Sequence, residues 1–245
     1  MDFGVTVLPD PPFSRWLELI QLAERHGFGY AWTYDSHVLW QESIPMLAIA
    51  ARETSTIKLG HFVTNPATRD PTVLASSYAT LHDLSNGRMA MGVGRGDSAV
   101  RFIGRQPMKV AEFEQALGMI HDFMNGREVH WNDKDLQLKW VRPELPPIPV
   151  WVAGYGPKAL RAAGRVADGV ISLAQMTGAA IIPISYRPTW KISLNSWDGF
   201  MIPLPFGRVR LHIGAPLVVP RDADEQQRED KRLELENVLK SLSEL

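Results

Sequence analysis

The sequence contains no cysteine, which excludes disulfides, thiolate catalysis and thiolate metal sites. It is also nearly free of net charge, formally −1 at pH 7 from 26 Lys and Arg against 27 Asp and Glu. A chain so balanced has no field that would draw nucleic acid or an anionic membrane. No apolar run approaches the roughly 20 residues that a membrane-spanning helix needs. The N-terminal MDFGVTVLPD carries neither the basic nor the apolar region of a signal peptide. A cytoplasmic protein is expected, acting on a small molecule rather than on nucleic acid or membrane. Two nucleotide signatures are missing as well. There is no Walker lysine pattern, and no Gly-x-Gly-x-x-Gly opens after the first strand, which argues against nucleoside-triphosphate and Rossmann sites.

What is present is an ordinary globular composition, 245 residues with 45% hydrophobic and 22% charged, enough for one large α/β domain or two small ones. The first two thirds of the chain alternates short apolar strands with amphipathic helices. Strands are expected at Phe3 to Val7, Tyr30 to Tyr34, Lys58 to Val63, Met89 to Val93, Pro149 to Ala153 and Val170 to Leu173. Helices are expected from about Pro12 to Gly27, over Ile44 to Arg52, from Asp70-Pro71 to Asn86-Gly87, over Val110 to Met124 and over Pro157 to Val166. Their apolar residues recur at helical spacing, and Asp70-Pro71 combines a capping side chain with proline at the first helical position. Glu128 to Leu138 reads as a small hairpin. Such alternation specifies a parallel sheet covered by helices, and a (β/α)8 TIM-barrel-like arrangement is favoured over an open doubly wound sheet.

Barrel enzymes carry their reacting groups on loops at the C-terminal strand ends. Polar clusters fall at four of these positions: Tyr34-Asp35-Ser36-His37, Thr64-Asn65-Pro66, Gly94-Arg95-Gly96-Asp97-Ser98 and Gly154-Tyr155-Gly156-Pro157-Lys158. Each has a bland alternative, such as Asp35 serving as a helix cap, but four on one rim favour a shared site. The Gly154 to Lys158 stretch combines glycines for close backbone approach, proline at a helix start, free amides and a lysine, which together make an anion pocket.

The strings DFGV, AERHGFGYAWTYDSHVLWQE, LGHFVTNPATRDP, LSNGRMAMGVGRGDSAVR and VWVAGYGPKALRAAGRVADGVI carry a resemblance. Over residues 1 to about 172 the chain resembles the luciferase-like flavin-dependent oxidoreductases, nearest the branch that uses coenzyme F420. The resemblance implies a barrel that binds F420, alternatively FMN, across the strand C-termini and moves hydride to or from a small organic substrate. It implies His37 as proton donor or acceptor with Asp35 as its partner. It also implies a non-proline cis bond at Phe62–Val63, Thr64 and Asn65 facing the ring, and Gly154, Tyr155 and Gly156 around the cofactor phosphate. Gly94, Arg95, Gly96 and Lys158 complete the expected cofactor-binding set. A homodimer through the early helices is implied too.

Beyond about residue 173 the pattern changes. The string TGAAIIPISYRPTWKISLNSWDGFMIPLPFGRVRLHIGAPLVVPRDAD and the charged helix after it resemble the C-terminal part of a bacterial lysophospholipid acyltransferase-like protein. The chain therefore reads as a chimera, with a luciferase-like portion at 1–173 and an acyltransferase-like segment at 174–245. Strands are expected at Ala180 to Tyr186 and Arg208 to Gly214, an irregular stretch between them, and a helix over Asp222 to Leu242. Six strands plus two is the count of a (β/α)8 barrel, so the tail is expected to close the barrel, the alternative being a separate small lobe. His130 and Asp135 have the spacing of an acyltransferase dyad, which chance readily supplies.

Overall fold

Helix starts and stops fall where the local chemistry puts them. The computed structural model describes residues 3–10, 12–154, 157–171, 180–189, 191–193, 201–203 and 209–244. Its chain divides into two compact units, Met1–Ile171 and Ser172–Leu245. In the first, strands β1 (Gly4–Thr6), β2 (Tyr30–Thr33), β3 (Lys58–Thr64) and β4 (Met89–Val93) alternate with helices α1 (Phe13–Arg25), α2 (Ser43–Glu53) and α3 (Pro71–Leu84). A short helix α4 (Ser98–Arg101) then precedes α5 (Val110–Met124). The hairpin β5 (Val129–Trp131) and β6 (Lys134–Leu136) follows, and β7 (Val150–Ala153), α6 (Pro157–Val166) and β8 (Gly169–Ile171) complete the unit. Asp70 caps α3 by accepting a bond of 2.8 Å from the Thr72 amide. Among the described elements of this unit only α4, a single turn, is absent from the sequence reading; four residues are too few to show a period.

The six strands form one curled parallel sheet in the order β1-β2-β3-β4-β7-β8, with in-register pairs such as Tyr30↔Lys58 and Gly60↔Ala90. Strand alternation sorts the side chains onto two faces. One face, with Leu59, Met89, Met91, Val150 and Val152, packs on buried residues of the helices, among them Leu47, Leu74, Tyr78, Phe113 and Leu117. The other carries a separate cluster of Tyr30, Trp32 and Ala90 with Phe62 and Trp151 packed against it. Tyr30 and Trp32 stack at 5.2 Å, and Trp151 leans on both. Gly60 and Gly92 lie on this inner face, and the curl between β3 and β4 depends on them. A Cβ on Gly60 would stand 1.9 Å from the Ala90 carbonyl oxygen.

Arg88 locks the C-terminal end of α2 to the sheet. Its guanidinium donates to the carbonyls of Ala51, Thr54, Ile57 and Ser85 and to the Thr54 hydroxyl, at 2.7 to 3.0 Å. The hairpin turns on Asn132 and Asp133, both at positive φ, so His130 directly opposes Asp135. The two bond at 2.8 Å as an exposed cross-strand pair. The His-x4-Asp spacing here is the arithmetic of a two-residue hairpin loop, in which positions i and i+5 face each other.

In the second unit, β9 (Ala180–Ile181), β10 (Ile184–Pro188), β11 (Lys191–Ser193), β12 (Met201–Pro203), β13 (Val209–Ile213) and β14 (Leu217–Val218) precede α7 (Glu225–Glu244). The expected seventh and eighth barrel strands are instead antiparallel partners of each other, from Ile184↔Ile213 to Pro188↔Val209. The stretch expected to be irregular supplies β11 and β12, paired antiparallel and nested inside them. Parallel neighbours need a long crossover, usually a helix. The sequence of residues 187–207 has no helical period, and the described strands on either side of it pair antiparallel. Among the described residues no helix is long and apolar enough to cross a membrane.

Candidate functional site

The loops at the C-terminal ends of β2, β3 and β4 and the start of α6 converge on one cleft of about 930 Å³. Of the residues singled out in the sequence, Asp35, Phe62, Val63, Thr64, Asn65, Gly94, Arg95, Gly96 and Lys158 line it. The Phe62–Val63 peptide is cis, as the resemblance implies. Gly96 holds φ +80°, and a Cβ there would meet the Val100 side chain at 2.4 Å and Asn65 Oδ1 at 3.2 Å. Only glycine keeps this turn open. Asn65 organises its own loop, its Oδ1 accepting from the amides of Ala67 and Thr68 and from the Thr68 hydroxyl at 3.0 to 3.1 Å. Arg95 Nε donates to the Met108 carbonyl at 2.6 Å, tying the β4 loop to the segment before α5.

Other expectations are met differently. His37 is exposed and lies outside the lining, and the partners of Asp35 are other groups. Asp35, buried to 3% exposure, accepts from the Thr64 hydroxyl at 2.5 Å and from Arg69 at 2.6 Å on Oδ2. Ser43 Oγ lies 3.5 Å from Oδ1. The carboxylate is turned inward toward β3 and the start of α3, while the His37 side chain is turned to solvent. Gly154 is buried, its amide donating to the Ile171 carbonyl, and does not line the cleft. Tyr155 and Gly156 fall outside the described residues.

Sequence reasoning missed Arg69, Arg101 and Arg161. Arg69 bridges Asp35 and Glu42, the second contact being 2.5 Å. A signal existed: a cation immediately before the capped N-terminus of α3 opposes the helix dipole and so calls for an anionic partner. Arg101 and Arg161 line the cleft beside Arg95 and Lys158. Of the lining acids, Asp97 is paired with Arg101 and Asp35 with Arg69, so the cleft carries an excess of positive charge.

Burial pushes the Asp35 carboxyl up, but the charges of His61 and Arg69 and the hydrogen bonds from Arg69 and Thr64 outweigh it and leave the carboxyl below its ordinary value. His61 is itself driven below its ordinary value, chiefly by burial, with Asp35 and Glu42 opposing and Arg69 assisting. Near neutral pH the cation facing Asp35 is therefore Arg69. Among the described residues no group of three or more His, Asp or Glu side chains is placed to hold a metal.

The chain belongs to the luciferase-like monooxygenase family, which it matches over residues 1–183. A 5,10-methylenetetrahydromethanopterin reductase of Archaeoglobus fulgidus is 32% identical over 177 residues, covering 70% of this chain and 52% of that protein. An F420-dependent glucose-6-phosphate dehydrogenase of Nakamurella multipartita is 31% identical over 176 residues, covering 65% of this chain and 52% of the relative. Among solved structures, the coenzyme F420 dependent tetrahydromethanopterin reductase from Methanopyrus kandleri superposes with a TM-score of 0.60 at 30% identity, over 70% of this chain and 55% of that one. The chain thus spans about half the length of the curated relatives it matches.

Proposed function

We propose that the cleft binds coenzyme F420, with FMN as the alternative, and that the chain moves hydride between it and a small organic substrate. One observation carries this reading: three strand-end loops and the start of α6 enclose a single cleft that joins an apolar wall (Phe62, Val63, Ala153), a buried carboxylate and four cationic side chains. A planar, phosphorylated cofactor needs this combination. Residues of this chain would divide the work. Gly94 and Gly96, where a Cβ would press on Val63 and Val100, let backbone approach a ring closely. Arg95, Arg101, Lys158 and Arg161 would hold its anionic portion. Asp35, kept ionised by Arg69, would orient the Thr64 hydroxyl, and His37 would exchange the proton at the solvent edge. When bound, the cofactor supplies the hydride chemistry, and the protein supplies orientation and electrostatics.

The relative and the solved structure named for F420, at 31% and 30% identity, support F420 over FMN. A second reading, cofactor binding without turnover, is favoured by the sheet's six strands among the described residues, two fewer than a full barrel has. The acyltransferase resemblance of the 174–245 segment brings no activity into this proposal, because His130 and Asp135 form an exposed hairpin pair in the other unit. The implied homodimer would cover an apolar groove of about 630 Å³ that includes Ile44, Ala48, Val73 and Leu84 on α2 and α3, and sedimentation would detect it.

Titration of the purified chain with F420 and with FMN, read by fluorescence and by thermal melting, tests the reading. Saturable binding below about 50 µM with a rise in Tm is expected, because a ligand of the folded state alone stabilises it. No fluorescence change and no Tm shift with either cofactor would overturn it. Steady acceptor reduction would then exclude the binding-only alternative.

A further inference from the structure

A column of polar side chains runs through the layer between β3 and the helices, outside the cleft. His61 is fully buried there; alternation along β3 turns it, like Leu59, away from the aromatic inner face. Its Nδ1 lies 2.6 Å from the Tyr78 hydroxyl on α3, and its Nε2 lies 2.8 Å from Ser43 Oγ at the first turn of α2. Ser43 Oγ in turn is 3.5 Å from Asp35 Oδ1. Asp35 Oδ2 is occupied by Thr64 and Arg69, so Ser43 is the described partner that restrains the other oxygen.

The donors in this column can be ordered from one end. A carboxylate only accepts, so Ser43 donates to Asp35 and accepts from His61. That puts the imidazole proton on Nε2 and leaves Nδ1 to accept from the Tyr78 phenol, which burial holds protonated by raising its pKa. Every bond then points the same way, toward the cleft carboxylate, and bonds aligned in a chain polarise one another. The charged groups acting on His61 are Asp35, Arg69 and Glu42. None of them contacts the ring in a described hydrogen bond, so the column reaches Asp35 through Ser43.

We propose that Tyr78, His61 and Ser43 are positioning residues that fix the plane of the Asp35 carboxylate at the cleft, with His61 held as its Nε2–H tautomer. This rests on the reading of the cleft as a cofactor site. The column fixes the orientation of Oδ1, and through Oδ2 that of the Thr64 hydroxyl on the cleft wall.

The tautomer can be read directly from ¹⁵N shifts of histidine-labelled protein without any cofactor. His61 should show the Nε2–H pattern and no titration between about pH 6 and 8, the range in which an unperturbed histidine changes charge. Replacing Asp35→Asn removes the anion that orders the bonds, and the His61 signal should move toward a mixture of the two tautomers. A purely structural column would not respond to that charge. An Nδ1–H or titrating His61 in the wild-type chain, or an unchanged tautomer in Asp35→Asn, would overturn the proposal.

The same samples, titrated with F420, separate this inference from the cofactor reading. Ser43→Ala, with its Tm checked by melting, should bind F420 about three- to tenfold more weakly, the worth of one modest hydrogen bond. Equal binding by Ser43→Ala and the wild-type chain overturns the positioning role alone. Absence of F420 and FMN binding by the wild-type chain, with the tautomer results as expected, overturns the cofactor reading and leaves the ordering of Asp35 intact.

Discussion

Replacing Arg69→Met should turn the pH dependence of stability around. Arg69 holds a carboxylate whose side chain is 1% exposed, through one contact of 2.6 Å. Methionine keeps much of the aliphatic stem and removes the charge. Asp35 is then left with the Thr64 hydroxyl and the long contact to Ser43. An arginine beside an aspartate lowers its pKa by about 1–3 units, and each unit is about 1.4 kcal/mol, so loss of the pair should cost about 3 kcal/mol near pH 7. That agrees with the lower end of about 3–5 kcal/mol for breaking a buried ion pair from one side. For a chain of this size it corresponds to a Tm lower by about 6–12 °C.

The sign with pH follows from linkage. In the wild-type chain the folded carboxyl lies below its ordinary value, so its contribution is complete above the unfolded pKa and is lost as pH falls through the folded one. In Arg69→Met, burial dominates and the native state takes up a proton, at Asp35 or at the neighbouring His61. The variant should therefore regain stability on acidification from about pH 7 to 5.5, where the wild-type chain gains none from this pair. Thermal melts followed by circular dichroism over that range measure both curves. Equal Tm values at pH 7, or parallel curves as pH falls, would refute the account of Arg69 as the counter-charge of Asp35.

Three further outcomes follow from the structure. Alanine at Lys158 or Arg161 should weaken cofactor binding by about three- to tenfold at low salt and by less at high salt, because these exposed cations act through a screened field; titrations at two ionic strengths check this. Arg88→Ala should cost about 3 kcal/mol in urea unfolding, since it strips hydrogen bonds from the carbonyls of Ala51, Thr54, Ile57 and Ser85 and leaves part-buried acceptors unsatisfied. Gly60→Ala should reduce the yield of folded protein or lower stability by about 2–3 kcal/mol or more. Its new methyl would stand 1.9 Å from the Ala90 carbonyl oxygen and 2.8 Å from the Trp32 ring, and backbone cannot step aside as a side chain can.

Much of the rim was legible in the sequence. Asp35, Thr64, Asn65, Gly94, Arg95 and Gly96 follow directly on apolar strands, and the C-terminal ends of parallel strands put them on one edge. What was not legible depends on which way a side chain turns after its strand ends. Asp35 and His37 are neighbours in sequence, yet Asp35 is buried and His37 exposed. Position alone cannot tell that Arg69, on the far side of β3, is the group that reaches the carboxylate. His61 is instructive for a different reason. It occupies an apolar-facing position of β3 beside Leu59 and Met91, where a polar side chain persists only with partners. Those partners, Ser43 and Tyr78, lie in two separate helices. The second unit was misjudged because its described strands pair antiparallel over nested short segments, and strand patterns alone carry no sign of direction.

The β5–β6 loop has a consequence for reading other chains. Any hairpin closed by two residues brings the side chains five apart into contact, whatever their chemistry. A histidine followed five places later by an aspartate will then form a well-made bond on a solvent-facing ribbon with no substrate in reach. Searches that accept this spacing as a sign of acyl transfer will collect such ribbons, and an Asn-Asp or Asn-Gly step between the pair is the mark by which to discard them.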